Sequence, residues 1–262
     1  MAQQPAQYYP PQLPLEMQNL ASMYQLGAPL AEYRGGFTGR AIGAIIGGVI
    51  LVGIFGVAWV AEASSDPASS VIFAIFTLLS LAFLVWAIIS PLQSSNWRVY
   101  VFNQGFVFLK GGQPDIFRWA EIRAIWQQIT AYYRYGFRTR TTHKYTIERA
   151  DGHRIVLNDR IKNVAELGNG LSRQISEFML PHMLAAYNAG NVITFGPLSV
   201  SRQGVSNGRE LLPWPSIKEI GVCQGTVRVR QEGKWLNWST VAVASIPNFA
   251  VFMALTRYIL GR

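Results

Sequence analysis

"RWAEIRAI", Arg118–Ile125, is echoed 95 positions later by "PWPSIKEI", Pro213–Ile220. Trp119, Ile122 and Ile125 stand against Trp214, Ile217 and Ile220 at identical spacing. Upstream, "FNQGF" (Phe102–Phe106) answers "SRQGV" (Ser201–Val205), with Gln104-Gly105 over Gln203-Gly204. Downstream, "ERADGHRIVL" (Glu148–Leu157) answers "RVRQEGKWLNW" (Arg228–Trp238), where Gly152 and Gly233 each follow an acid, a hairpin-turn signature. "NVAELGNGLSRQI" (Asn163–Ile175) then answers "IPNFAVFMALTRYIL" (Ile246–Leu260). Four features in one order predict a tandem repeat.

Each copy reads as hairpins closed by one helix. "WRVYVF", "FVFLK" and "DIFRW" have strand character and are separated by Gly or Pro turns. Asn163 and Glu166 offer a capping box for the first closing helix. Val164, Leu167, Leu171, Ile175, Phe178 and Met179 follow at helical spacing. Pro181 is expected to end or kink that helix, and Asn188–Gly190 to form the linker. A helix against a strongly bent antiparallel sheet buries one face of each. Six strands are countable in the first copy.

The copies differ in length at one place. Trp119 to Gly152 is 33 positions and Trp214 to Gly233 is 19, a difference of 14. That is the length of "YYRYGFRTRTTHKY", Tyr132–Tyr145, which carries Arg134, Arg138, Arg140 and Lys144, four tyrosines, Phe137 and no acid. The segment is expected to extend one hairpin, projecting roughly 20 Å at about 3.3 Å per residue. Strand alternation places Tyr133, Tyr135 and Phe137 on one face, with Arg134, Arg138 and Arg140 on the other. Three readings stay open: a finger that sets rings and cations against anionic lipid, a protein contact rich in Arg and Tyr, or a solvated hairpin whose rings cover its own sheet. Nucleic-acid binding by a basic sheet bearing aromatics is the weakest fit.

Two apolar runs precede the repeat. Ala41–Ala61 and Ala68–Leu92 hold 21 and 25 residues without a charge. Roughly 20 apolar residues cross a bilayer core, so both pass the length test. The connector "EASSDP", Glu62–Pro67, allows only a tight turn, so the runs form a transmembrane hairpin. Arg34 and Arg40 precede the first span, Arg98 follows the second, and the connector holds only acids. Both termini are therefore expected in the cytoplasm and the turn outside. Some forty mostly polar residues before the first span argue against a cleaved signal peptide. Gly43 and Gly47, one turn apart like Ala44 and Gly48, could let helices pack closely, within the hairpin or between copies of the chain. Residues 1–40 read as a Gln/Pro/Tyr-rich disordered lead followed by a ragged amphipathic helix, Leu15–Leu26, suited to an interface.

Charge separates these parts. Residues 93–262 hold 21 basic and 10 acidic side chains, a net of +11 in a chain whose total is +9. The single Cys223 excludes an internal disulfide framework and a thiolate cluster. His143, His153 and His182 lack metal-ligand spacing, so no metal and no cofactor is expected. "GGQPDIF" lacks the Gly-Lys-Ser/Thr ending of a phosphate loop, and Ser199, Ser201, His153 and Asp159 lack a nucleophile elbow. "LNDRIKN", Leu157–Asn163, reads as a strand end with solvated charges before a helix cap. The chain is not expected to be an enzyme.

The strand-then-helix order resembles the pleckstrin-homology-like fold. Through "VFNQGFVFLKGGQPDIFRWAEI", "LNDRIKNVAELG", "FGPLSVSRQGVSNGRELLPWPSI" and "GKWLNWSTV", most of the chain is similar to an uncharacterised bacterial family of two-span membrane proteins. That resemblance implies an architecture and no activity: a membrane α-hairpin (residues 41–92) plus an α+β cytoplasmic region of two tandem pleckstrin-homology-like units, 93–190 and a shorter 191–262. The closing-helix tryptophan of eukaryotic pleckstrin-homology domains is missing from both helices, so no phosphoinositide site of that type is implied. The expected role is a non-enzymatic adaptor or sensor anchored in the bacterial plasma membrane and contacting anionic lipid at the inner leaflet. The alternative is an oligomeric scaffold that recruits a protein partner.

Overall fold

Strand-forming runs, glycine turns and two long apolar helices set the order of elements in the computed structural model, which describes residues 13–36, 39–135 and 137–261. The chain divides into two compact units: Met1–Ile116 with Arg160–Lys162, and Phe117–Asp159 with Asn163–Arg262. The division falls inside a strand, near residue 116.

The first unit opens with helix α1 (Leu15–Met23), then strand β1 (Pro29–Arg34) and helices α2 (Gly39–Glu62) and α3 (Pro67–Ser94). Strands β2 (Arg98–Phe102), β3 (Gly105–Lys110) and β4 (Gln113–Arg118) follow, the last running two residues into the second unit. The sheet order is β1-β2-β3-β4, with antiparallel pairing of β1 on β2 and β2 on β3. The apolar hairpin is thus inserted between two paired strands of one sheet. Residues 1–40, expected as a disordered and interfacial lead, contain both a strand and a core helix; residues 1–12 lie outside the described ones. Met17, Ala21 and Leu26 pack against Tyr100, Phe102 and Val107, so one face of α1 covers the sheet. β1 was illegible because its partner lies beyond both apolar helices. It raises the strands before the first closing helix from six to seven.

The two helices are long and apolar enough to cross a membrane: Ala41–Glu62 and Pro67–Ser94, with mean hydropathies of 2.5 and 2.7. Their side chains are largely open to the surroundings. Asp66 caps α3, accepting from the Ala68 amide and from the Ser69 hydroxyl. These bonds hold its carboxyl below the usual aspartate range. α3 turns Thr77, Ser80 and Ala87 inward, and Phe55 stacks on Phe76 at 5.2 Å. A Cβ on Gly48 would lie 3.1 Å from Leu84 Cδ1, so Gly48 is where α2 and α3 meet closely. Gly43 and Gly47, the expected packing pair, have nothing within 4 Å of the equivalent position. They do not pack the hairpin; they face outward.

The second unit carries β5 (Ile122–Arg134), β6 (Phe137–Arg149), β7 (Arg154–Asn158) and helix α4 (Val164–Asn188). The second copy follows: β8 (Ile193–Phe195), β9 (Leu198–Val200), β10 (Gly204–Ser206), β11 (Leu211–Pro213), β12 (Ile217–Cys223), β13 (Thr226–Gln231), β14 (Asn237–Ala242) and helix α5 (Phe249–Leu260). β8–β11 form one antiparallel meander; β5-β6-β7 and β12-β13-β14 form two three-stranded sheets. Both copies therefore run four strands, a 3-10 turn at the repeated tryptophan, three strands and a helix. Trp214 fixes its turn by donating from Nε1 to the Ser201 carbonyl. Gly152 and Gly233 both have positive φ, as their turn positions require. In the first of these turns Arg149 and the His153 amide hold the Asp151 carboxyl down at about 2.

Two local features differ in detail from expectation. Asn163 does precede α4, but in the left-handed region and with no side-chain cap bond, so no capping box forms. α4 does not end at Pro181 but continues to Asn188. Asn248, the counterpart of Asn163, is left-handed too (φ 52°), and its amide serves another purpose. Asn248 Oδ1 accepts from the Ile125 amide at 3.0 Å, Nδ2 donates to the Arg123 carbonyl at 3.1 Å, and its own N–H donates to the Ile125 carbonyl at 2.8 Å. The residue is 7 % exposed. It stitches the start of α5 to the outer edge of β5.

Asn248→Ala strands the buried Ile125 amide and Arg123 carbonyl, and should cost about 2–4 kcal/mol. Asn237→Ala, at an exposed position, should cost less than ~0.5 kcal/mol. Denaturant unfolding of the full-length chain in detergent measures both; equal midpoints would contradict the clamp.

Candidate functional site: a basic-aromatic hairpin

β5 and β6 each run 13 residues, whereas β12 and β13 run 7 and 6. β7 pairs only with Lys144–Glu148 of β6. From Ile129 and His143 outward the hairpin is therefore two-stranded, with no third strand on either edge in this unit's sheet. Asp159, just past the end of β7, accepts from the His143 amide at 3.3 Å and lies 3.5 Å from the His143 ring. It clasps the arm at its root. In the same "LNDRIKN" segment Arg160 stands over the Trp97 ring at 5.7 Å, so its charge is not merely solvated.

The inner face of the root is held by shape. Tyr145 is wholly buried, and a Cβ on Gly168 of α4 would fall 2.0 Å from its ring. Gly168 is thus the slot that lets the tyrosine pass beneath the helix. Burial, aided by the Asp159 carboxylate, pushes the Tyr145 hydroxyl above its ordinary value, and the hydroxyl has no hydrogen-bond partner among the described residues.

Beyond the root the rings lose cover. Tyr133, Tyr135 and Phe137 are 67 %, 87 % and 77 % exposed, so they do not cover their own sheet. Arg134 lies over the Tyr135 ring at 5.5 Å and Arg140 over Tyr132 at 5.6 Å, while Arg138 donates to Thr141 Oγ1. The expected sorting of rings and cations onto opposite faces does not occur. Tyr133 pairs with Arg138, Arg134 with Phe137 and Tyr132 with Arg140, and paired residues share a face. Simple alternation was broken twice: the chain reverses at Tyr135, at positive φ, and a bulge skips Thr139. Both faces of the arm therefore mix rings with charge.

At the root, on the face opposite Tyr145, Trp126, Gln128, Lys144, Thr146, Arg154 and Ala244 line a shallow groove of about 230 Å³. Of these only Lys144 stood out in the sequence. The signal for the others was a difference between copies, since Gly221 stands where Trp126 does. A second missed feature is the β13–β14 turn, where Trp235 and Leu236 are 86 % and 60 % exposed. In the sequence they served only as repeat markers.

Gly168→Ala forces the Tyr145 ring to move and should cost about 1–3 kcal/mol, relieved when Tyr145→Leu is combined with it. Tyr145→Phe should be nearly neutral at pH 7. In the unfolded chain this tyrosine ionises near pH 10, while the fold retains its proton. Its stabilisation is thus complete below about pH 10 and is lost as pH rises through the raised value, so Tyr145→Phe should flatten the alkaline limb of stability. Unfolding midpoints across the alkaline range test this, and an unchanged limb would contradict it.

Comparison with known proteins gives a family and no activity. No curated protein and no solved structure matches the chain. The model of a family of unknown function, DUF6585, matches residues 1–261, and the chain belongs to that family.

Proposed function

We propose that this protein is a non-enzymatic adaptor or sensor held in a membrane by α2 and α3, with the β5–β6 hairpin contacting anionic lipid at the cytoplasmic leaflet. The carrying observation is the two-stranded arm itself: three rings more than two-thirds exposed, interleaved with Arg134, Arg138 and Arg140. Rings of this kind settle at the headgroup level, and each nearby cation adds about 1 kcal/mol toward an anionic surface. Trp97, just past α3, supports the orientation, being flanked by Lys110 at 5.6 Å and Arg160 at 5.7 Å. An aromatic with cations at a span's end fits the cytoplasmic boundary. The run of four strands, three strands and a helix in both copies supports a tandem pleckstrin-homology-like reading of the extramembrane part.

The test uses the whole chain, because a fragment starting at residue 93 would lack β1 and α1. In a Cys223→Ser background, Tyr135→Cys carries an environment-sensitive fluorophore, and the protein is placed in nanodiscs. A blue shift with anionic lipid at low salt, absent in zwitterionic discs, is expected. Replacing Arg134, Arg138 and Arg140 together with Gln should weaken the response about fivefold per charge. Identical spectra in both discs and in detergent would overturn the reading. An oligomeric scaffold recruiting a protein partner is the second reading, favoured by the open faces of Gly43 and Gly47. Crosslinking in the membrane distinguishes it, since a strictly monomeric chain would count against it.

A further inference from the structure

We propose that the groove at the root of the hairpin is a discrete binding site for a phosphate monoester group. It rests on the reading of the hairpin as an anion-contacting surface, and it adds a chemical class and a pocket to that surface. Two of the lining residues, Lys144 and Arg154, are basic and none is acidic; beside the lining, Glu148, its side chain 6 % exposed, is shared by two guanidiniums, Arg154 at 2.5 Å and Arg123 at 3.5 Å. Lys144 lines the groove with no ion-pair partner among the described residues. Arg123 offsets Glu148 beside the groove, so the lining keeps two positive charges. A phosphate monoester carries about −1.5 to −2 at neutral pH, so it neutralises the site, whereas a phosphodiester leaves charge over.

The donors fit that group as well. Arg154 lies over the Trp126 ring at 5.4 Å while Glu148 accepts from its Nε, which fixes the guanidinium without using all of its donors. Gln128 and Thr146 face the same groove, and their side chains make no hydrogen bond among the described residues. At about 230 Å³ the space suits one small headgroup and is below the size of drug-like pockets. The second copy lacks the construction: Gly221 replaces the tryptophan wall, and its carboxylate, Glu219, is itself exposed beside Arg230.

Full-length protein in detergent is titrated with inorganic phosphate and followed by phosphorus NMR, with sulfate as competitor. Nanodiscs containing phosphatidate, a monoester, are compared with discs containing phosphatidylglycerol, a diester. Saturable phosphate broadening, or a phosphatidate signal shifted where phosphatidylglycerol is not, supports the site; the first points to a soluble source and the second to a lipid. Lys144→Gln should weaken either response about tenfold. Gln128→Glu, which keeps the Arg154–Glu148 pair, should weaken it by a similar factor. The double change Tyr135→Ser, Phe137→Ser should leave phosphate binding in detergent intact, which separates failure of the tip from failure of the groove. No saturable response in either medium, or one unchanged in Lys144→Gln and Gln128→Glu, would overturn the inference.

Discussion

An edge strand must find partners for its outward amides and carbonyls, and β5 finds them in one asparagine. Asn248 meets Arg123 and Ile125 with three hydrogen bonds from a left-handed backbone that few residues other than glycine accept readily. Its side chain cannot also cap α5, and it does not. The contact joins residues more than 120 positions apart in the chain. It places the second copy's helix beside one of the first copy's two longest strands. The hairpin that carries the rings and cations grows from that strand, so its base is set by the clamp on one side and by Tyr145 in the Gly168 slot on the other.

Insertion of the apolar hairpin between β1 and β2 has a mechanical consequence inside the first unit. Both helices connect into neighbouring strands of one sheet, and the backbone is tight at the junction. A Cβ on Gly35 would lie 2.1 Å from the Ser94 carbonyl oxygen, and the Gly35 amide donates to Trp97 at 2.7 Å. Glu32 binds Arg34 at 2.7 Å and Arg98 at 3.4 Å across the paired strands. The end of α3 is therefore tied closely to β1 and β2.

The repeat also separates framework from specialisation. What both copies share, namely the tryptophan turn, the glycine turns and the left-handed asparagine before the closing helix, serves folding. What they do not share lies at the surface. The first copy has the long β5–β6 arm and a tryptophan-walled groove. The second has a short β12–β13 turn and instead exposes Trp235 and Leu236 at the next one.

Local chemistry is written in the sequence. The length and polarity of two helices, the strand runs, the turn glycines, the repeat and the fourteen-residue extension all follow from neighbouring residues, because each depends on spacing along the chain. The sorting of rings and cations was not legible, because one bulge at Thr139 and one reversal at Tyr135 invert the alternation on which such a reading depends. β1 was hidden because its hydrogen-bond partner lies beyond both apolar helices, and the capping box was a plausible local pattern that the left-handed backbone at Asn163 rules out. The groove could not be foreseen either, since Trp126, Lys144 and Arg154 come from three strands and meet only when the register is set. The sequence by itself determined which elements exist and where the two copies differ. Only the tertiary structure decided which side chains share a face, because pairing across strands, and not order along them, sets that neighbourhood.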